Sequence, residues 1–119
     1  LSFNPLSALT GANLDTLATE PGTRAIARAM MLEAQAIGEA MGVRFSVDVE
    51  RRMDGAAAVG AHRTSMLQDL ELGRPIETAA LVEAVQELGR MVGLATPTID
   101  MVHALLVQKV AVRDAAVSG

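Results

Sequence analysis

An all-α fold is what this sequence predicts, and three observations carry that prediction. Half of the 119 residues are hydrophobic but only two are aromatic, both Phe, so that Ala, Leu, Val and seven Met supply the apolar mass, a mixture that favours helices over strands. The larger apolar residues recur at three- and four-residue intervals. The segments that carry this spacing are bounded by Gly, Pro and Asp, Ser or Thr, with no repeat period and no low-complexity tract. The length fits one core, so residues 1–119 are expected to form a single domain of five to seven helices. A domain of this size buries roughly two-thirds of its unfolded surface and needs no disulfide to fold.

The elements follow in order. A short helix is expected around Pro5 to Leu9, ending at Thr10-Gly11, and Asn13 or Asp15 can start a single turn through Leu17 and Ala18. From Pro21 to Met41, Ile26, Met30, Ile37 and Met41 define the apolar side of one long amphipathic helix, with Gly42 as its stop. Ser46 is a candidate cap for the next helix, with Asp48 and Glu50 in its first turn, and Val59 closes it before Gly60. Ser65 to Leu72 predicts a shorter helix closed by Gly73, and Pro75 forces Arg74 out of helical conformation. The stripe Leu81, Val85, Leu88 and Val92 marks a helix from about Glu77 to Val92, stopped by Gly93. Thr96 and Pro97 then supply an N-cap and a first-turn proline for a last helix whose stripe is Ile99, Val102, Leu106 and Val110.

Composition also excludes functions. Fourteen acidic against ten basic side chains leave a net charge of −4, with the basic residues scattered apart from Arg51 and Arg52, which argues against a nucleic-acid partner. No apolar run approaches the roughly 20 residues that span a bilayer, and no signal-peptide layout opens the chain, so a cytoplasmic location is expected. The absence of cysteine removes disulfides, thiolate metal sites and thiol nucleophiles. His62 and His103 have no local ligand partners, so no metal site is expected, and the Met residues read as core packing. Leu1 stands first where an initiator Met would, which predicts a chain cut or processed at that end.

Two stretches carry a resemblance that physics alone does not reach. Asn4-Pro5-Leu6-Ser7-Ala8-Leu9-Thr10-Gly11 resembles the segment that follows the interdomain connection in ketopantoate reductases. Thr64-Ser65-Met66-Leu67-Gln68-Asp69-Leu70-Glu71, followed by Gly73-Arg74-Pro75 and Glu77, is similar to a second block of that family, and Gly93-Leu94-Ala95-Thr96-Pro97-Thr98 resembles the turn before its last helix. The resemblance implies a helical carboxy-terminal domain like that of the 6-phosphogluconate dehydrogenase group. It also implies reduction of 2-dehydropantoate to (R)-pantoate by NADPH, on the way to pantothenate and coenzyme A. By the same resemblance, Asn4 hydrogen-bonds the 2-oxo acid substrate, Ser65 donates to its carboxylate, and Glu77 is the catalytic residue that engages the substrate hydroxyl and lies against the cofactor.

Each of these residues has an ordinary competing role: Asn4 and Ser65 as helix caps, Glu77 as a first-turn acid that favours the helix dipole by about 0.3–1 kcal/mol. The family's catalytic Lys would lie eight positions before Asn4, outside this chain, and no G-x-G-x-x-G turn is present, so NADPH is expected to be held by an amino-terminal Rossmann domain absent from this chain. Ile76 replaces the family's common Thr, and Thr78-Ala79 and Val82-Glu83 also depart from it, which leaves a related NADP-dependent 2-oxoacid reductase as an alternative. A non-catalytic helical dimerisation or interaction module is the alternative from another class, and a homodimer is expected from the apolar surface such a fragment leaves open.

Overall fold

The structure is a computed structural model that describes residues 3–59 and 78–118. Within them the chain forms six α-helices and no strand: α1 (Phe3–Thr10), α2 (Leu14–Thr19), α3 (Pro21–Ala40), α4 (Val49–Val59), α5 (Thr78–Val92) and α6 (Pro97–Ser118). The all-α expectation is met. The expected helix over Ser65–Leu72 and the Arg74-Pro75 junction lie outside the described residues.

Local chemistry sets the boundaries. Glu20 caps α3, its carboxylate accepting from the Gly22 amide at 3.5 Å, and Pro21 takes the first helical position, where its missing N–H costs nothing. The helix closes in a Schellman motif: Gly42 sits at φ +90°, the Val43 amide donates to the Gly38 carbonyl at 2.9 Å, and the Gly42 amide to the Glu39 carbonyl at 3.0 Å. Gly11 and Gly93, also at positive φ, end α1 and α5 where the sequence predicts. The cap of α4 is Asp48 rather than Ser46: its Oδ1 accepts from the Arg51 amide at 2.8 Å, three residues on, the N3 position a cap serves.

The core gathers Leu6, Leu17, Met30, Met53, Val82 and Ile99 from all six helices. Two predicted stripes shift on the helical wheel. On α3, Ala27, Met30 and Ile37 are buried while Ile26 and Met41 are exposed; on α5, Val82 is buried and Leu81 is half exposed. In both helices the neighbours come close enough that a small residue takes the contact. A Cβ on Gly89 would lie 3.0 Å from the Leu94 carbonyl oxygen and 3.1 Å from Ile37 Cδ1, so α5 meets α3 through a glycine. The stripe of α6 is as expected, with Ile99, Val102 and Leu106 buried and Val110 half-buried.

Polar contacts bind the helices at their ends. Arg24 on α3 donates to the Ala18 carbonyl at 2.7 Å, to Glu50 at 3.2 Å and to Asp54 at 2.9 Å, and Arg28 Nε donates to Glu50, so α2, α3 and α4 are clasped together. The start of α6 is held from α3. Both carboxylate oxygens of Glu33 accept backbone amides, those of Thr98 at 2.9 Å and Ile99 at 3.0 Å. Thr96, the expected cap, is buried and donates its hydroxyl to Asp100 instead.

Candidate functional site

α1 is an eight-residue helix held at its carboxyl end and enclosed along its middle. Pro5, Leu6, Ser7 and Ala8 are consecutive and all buried, so this helix meets neighbours on every side, with Leu6 in the main core and Ala8 against Leu106. Ser7 Oγ donates to the Ala12 carbonyl at 3.0 Å. Thr10 Oγ1 donates to the Leu6 carbonyl at 2.8 Å and accepts the Ala12 amide at 3.1 Å. Lys109 Nζ adds a bond to the Leu9 carbonyl at 3.4 Å. These bonds fix where α1 ends and therefore where its first turn stands.

Asn4 occupies that first turn. It lies inside α1 rather than at a cap, is half-buried, and its amide has no hydrogen-bond partner among the described residues. An amide carries two donors and an acceptor on a rigid stub, which suits recognition of a carbonyl or hydroxyl. Ser65 and Glu77 lie outside the described residues, as do Arg74 and His62. Glu77 immediately precedes α5, and α5 packs against α1: Val82 and Leu6 share one core cluster, with Phe3 packed on it. The structure thus brings the helix of Asn4 against the helix that begins after Glu77.

Other charged groups have structural partners. His103 meets Glu83 at 3.1 Å across the α5–α6 seam, and Gln86 donates to Asp100 at 2.7 Å one turn away. The hydrogen bonds from Arg28 and then Arg24 hold the Glu50 carboxyl below its ordinary range, while the Asp54 and Glu50 bonds raise Arg24 further. Among the described residues no group of His, Cys, Asp or Glu is placed to hold a metal ion, and no helix is long and apolar enough to cross a membrane. The sequence contains no G-x-G-x-x-G motif, and among the described residues there is no strand for such a turn to follow. Glu33 and Ser7, the side chains that set α6 and α1 in place, were not singled out from the sequence.

The described residues thus build an all-helical domain in which the helix of Asn4 is bonded down at its carboxyl end, in contrast to an α/β nucleotide-binding domain. The family model described as ketopantoate reductase PanE/ApbA C terminal matches residues 1–110. The chain belongs to that family. It is 66% identical over 106 residues to a 2-dehydropantoate 2-reductase of Mesorhizobium japonicum, covering 89% of this chain and 32% of that protein. The solved 2-dehydropantoate 2-reductase of Methylococcus capsulatus superposes with a TM-score of 0.78 at 35% identity, over 90% of this chain and 37% of that one. That of Geobacter metallireducens does so with 0.81 at 30% identity, over 90% and 36%. The chain therefore spans about a third of the length of the relatives it matches.

Proposed function

We propose that this chain is the helical, substrate-side domain of a 2-dehydropantoate 2-reductase that makes (R)-pantoate with NADPH, in the cytoplasm, toward pantothenate and coenzyme A. The observation that carries the reading is the 66% identity to the Mesorhizobium reductase across nearly the whole chain. The partners in this reading are the 2-oxo acid, an amino-terminal Rossmann domain and a second copy of the chain.

The reaction delivers hydride to the C2 carbonyl carbon and a proton to the resulting alkoxide. The nicotinamide supplies the hydride when bound, and in this reading it is held mainly by the amino-terminal Rossmann domain. What this chain contributes is orientation. Asn4 donates its amide to the substrate from a helix whose far end is bonded down, Ser65 donates to the carboxylate, and Glu77 accepts from the hydroxyl and approaches the cofactor. A fixed donor lowers the barrier by removing the search for reactive geometry.

The test is NADPH oxidation with 2-dehydropantoate by the complete polypeptide that carries this domain, with NADH run in parallel. Glu77→Ala should lower kcat/KM at least tenfold, about 1.4 kcal/mol of transition-state stabilisation. Asn4→Ala should raise KM. Turnover unchanged in Glu77→Ala would remove that residue from the site. No turnover by folded protein, with activity toward another 2-oxo acid, would replace the substrate. Inactivity toward every 2-oxo acid would favour a non-catalytic helical module.

A further inference from the structure

The backbone of Ala12 is gripped on both sides from α1. Ser7 Oγ donates to its carbonyl at 3.0 Å, its amide donates to Thr10 Oγ1 at 3.1 Å, and the Ser7 carbonyl accepts the neighbouring Gly11 amide at 2.8 Å. A serine inside a helix ordinarily bonds back to a carbonyl three or four residues earlier; this one, fully buried, reaches five residues forward into the turn. That turn leads into α2, where Arg24 bonds the Ala18 carbonyl, and Arg24 also holds Glu50 and Asp54 of α4. Ser7 thus ties α1 by a directional bond to the frame of α2, α3 and α4.

Apolar packing alone leaves this helix one freedom. Pro5, Leu6 and Ala8 seat α1, but burial is non-directional, so it resists lifting the helix out more than turning it about its axis. A turn of about 20° carries a side-chain tip ~6 Å from the axis through about 2 Å. At a substrate contact that is decisive, since a misplacement of about 1 Å can cost about 100-fold. Asn4 is the group such a turn displaces. It stands three residues before Ser7, on the same side of α1, and no hydrogen bond among the described residues holds its amide. Its direction is therefore set by the rotation of α1. Lys109, 3.4 Å from the Leu9 carbonyl on an exposed chain, is a weaker tether than the buried hydroxyl.

We propose that Ser7 is a positioning residue for substrate binding: its bond to the Ala12 carbonyl fixes the rotation of α1 and so aims the Asn4 amide. This rests on the functional reading in which Asn4 binds the 2-oxo acid. The test is a double-mutant cycle in the complete polypeptide, with KM and kcat for 2-dehydropantoate and thermal unfolding measured on the same samples. Ser7→Ala should raise KM about fivefold or more while kcat stays within about twofold. Thr10→Ala, at an exposed residue gripping the same backbone, should move KM the same way and tests the clip independently of Ser7. In an Asn4→Ala background Ser7→Ala should change KM by less than about twofold. Thr23→Ala removes a hydroxyl bond of similar length outside α1, to the Leu17 carbonyl at 2.9 Å, and should lower Tm without moving KM. A KM within about twofold of wild type in Ser7→Ala and Thr10→Ala, or an equal rise with and without the Asn4 amide, overturns the proposal. An unchanged KM in Asn4→Ala would instead remove Asn4 from the site, and the role of Ser7 with it.

Discussion

Removing the Glu33 carboxylate should loosen the start of α6 without touching the core. Its two oxygens accept the Thr98 and Ile99 amides, two of the four N–H groups that an α-helix leaves unmatched at its start. Loss of an N-cap that serves one amide costs about 0.5–2 kcal/mol, and a carboxylate at the positive end of the helix dipole adds about 0.3–1 kcal/mol. With two amides served in a half-buried place, Glu33→Ala is expected to cost about 2–3 kcal/mol, and Glu33→Gln, which keeps one acceptor and no charge, about 1 kcal/mol. For 119 residues the unfolding entropy is about 0.25 kcal/mol per kelvin, so Glu33→Ala should lower Tm by about 8–12 °C. Urea unfolding at fixed pH reads the stability, and hydrogen exchange at the Thr98 and Ile99 amides reads the local opening. A Glu33→Ala variant within about 0.5 kcal/mol of wild type, the scale of an ordinary surface change, would refute the long-range cap.

Two further outcomes follow from the packing and the clasp. Gly89→Ala should destabilise by about 1–3 kcal/mol in urea unfolding although alanine favours a helix by about 1 kcal/mol, because the new methyl meets the Leu94 carbonyl, which is backbone. A neutral result would mean that the turn after α5 yields. Glu50 binds its proton less tightly in the folded chain because Arg28 and Arg24 bond its carboxylate, so its contribution is complete above the ordinary value of 4.5 and is lost as pH falls through the lower folded value. Acid titration of stability should therefore show a smaller loss below pH 4.5 in Glu50→Gln than in wild type, and equal slopes would remove Glu50 from the acid response.

The helices were legible in the sequence wherever stop signals and spacing agreed. Pro21 and Gly42 delimit α3 nearly to the residue, and Ile99, Val102 and Leu106 mark the inner side of α6, because backbone preferences act locally. The rotation of α3 and α5 about their own axes was not legible. Size made Ile26 and Leu81 look like core, but the place where Gly89 lets α5 approach Ile37 depends on residues far apart in sequence. One overlooked signal was present: Glu33 falls three residues after Met30 and four before Ile37, on the buried side of α3, where a charge needs partners. Of the candidate site, Asn4 was found through the family resemblance. The structure places Asn4 half-buried in the first turn of α1 with no side-chain partner among the described residues, while Ser65 and Glu77 lie outside them, and the role of all three rests on the resemblance.

The bond between Glu33 and α6 also bears on the order of assembly. The acceptor is made 65 residues before the first amide it serves, so α3 completes its own turn structure while its carboxylate waits on chain not yet synthesised. The first turn of α6 has no comparable partner of its own and gains one only when the chain has folded back across that separation, a closure whose entropy must be met first. α6 is therefore the natural last of these six helices to settle, and its first turn is the part of them that stays open longest to proteases and to other chains.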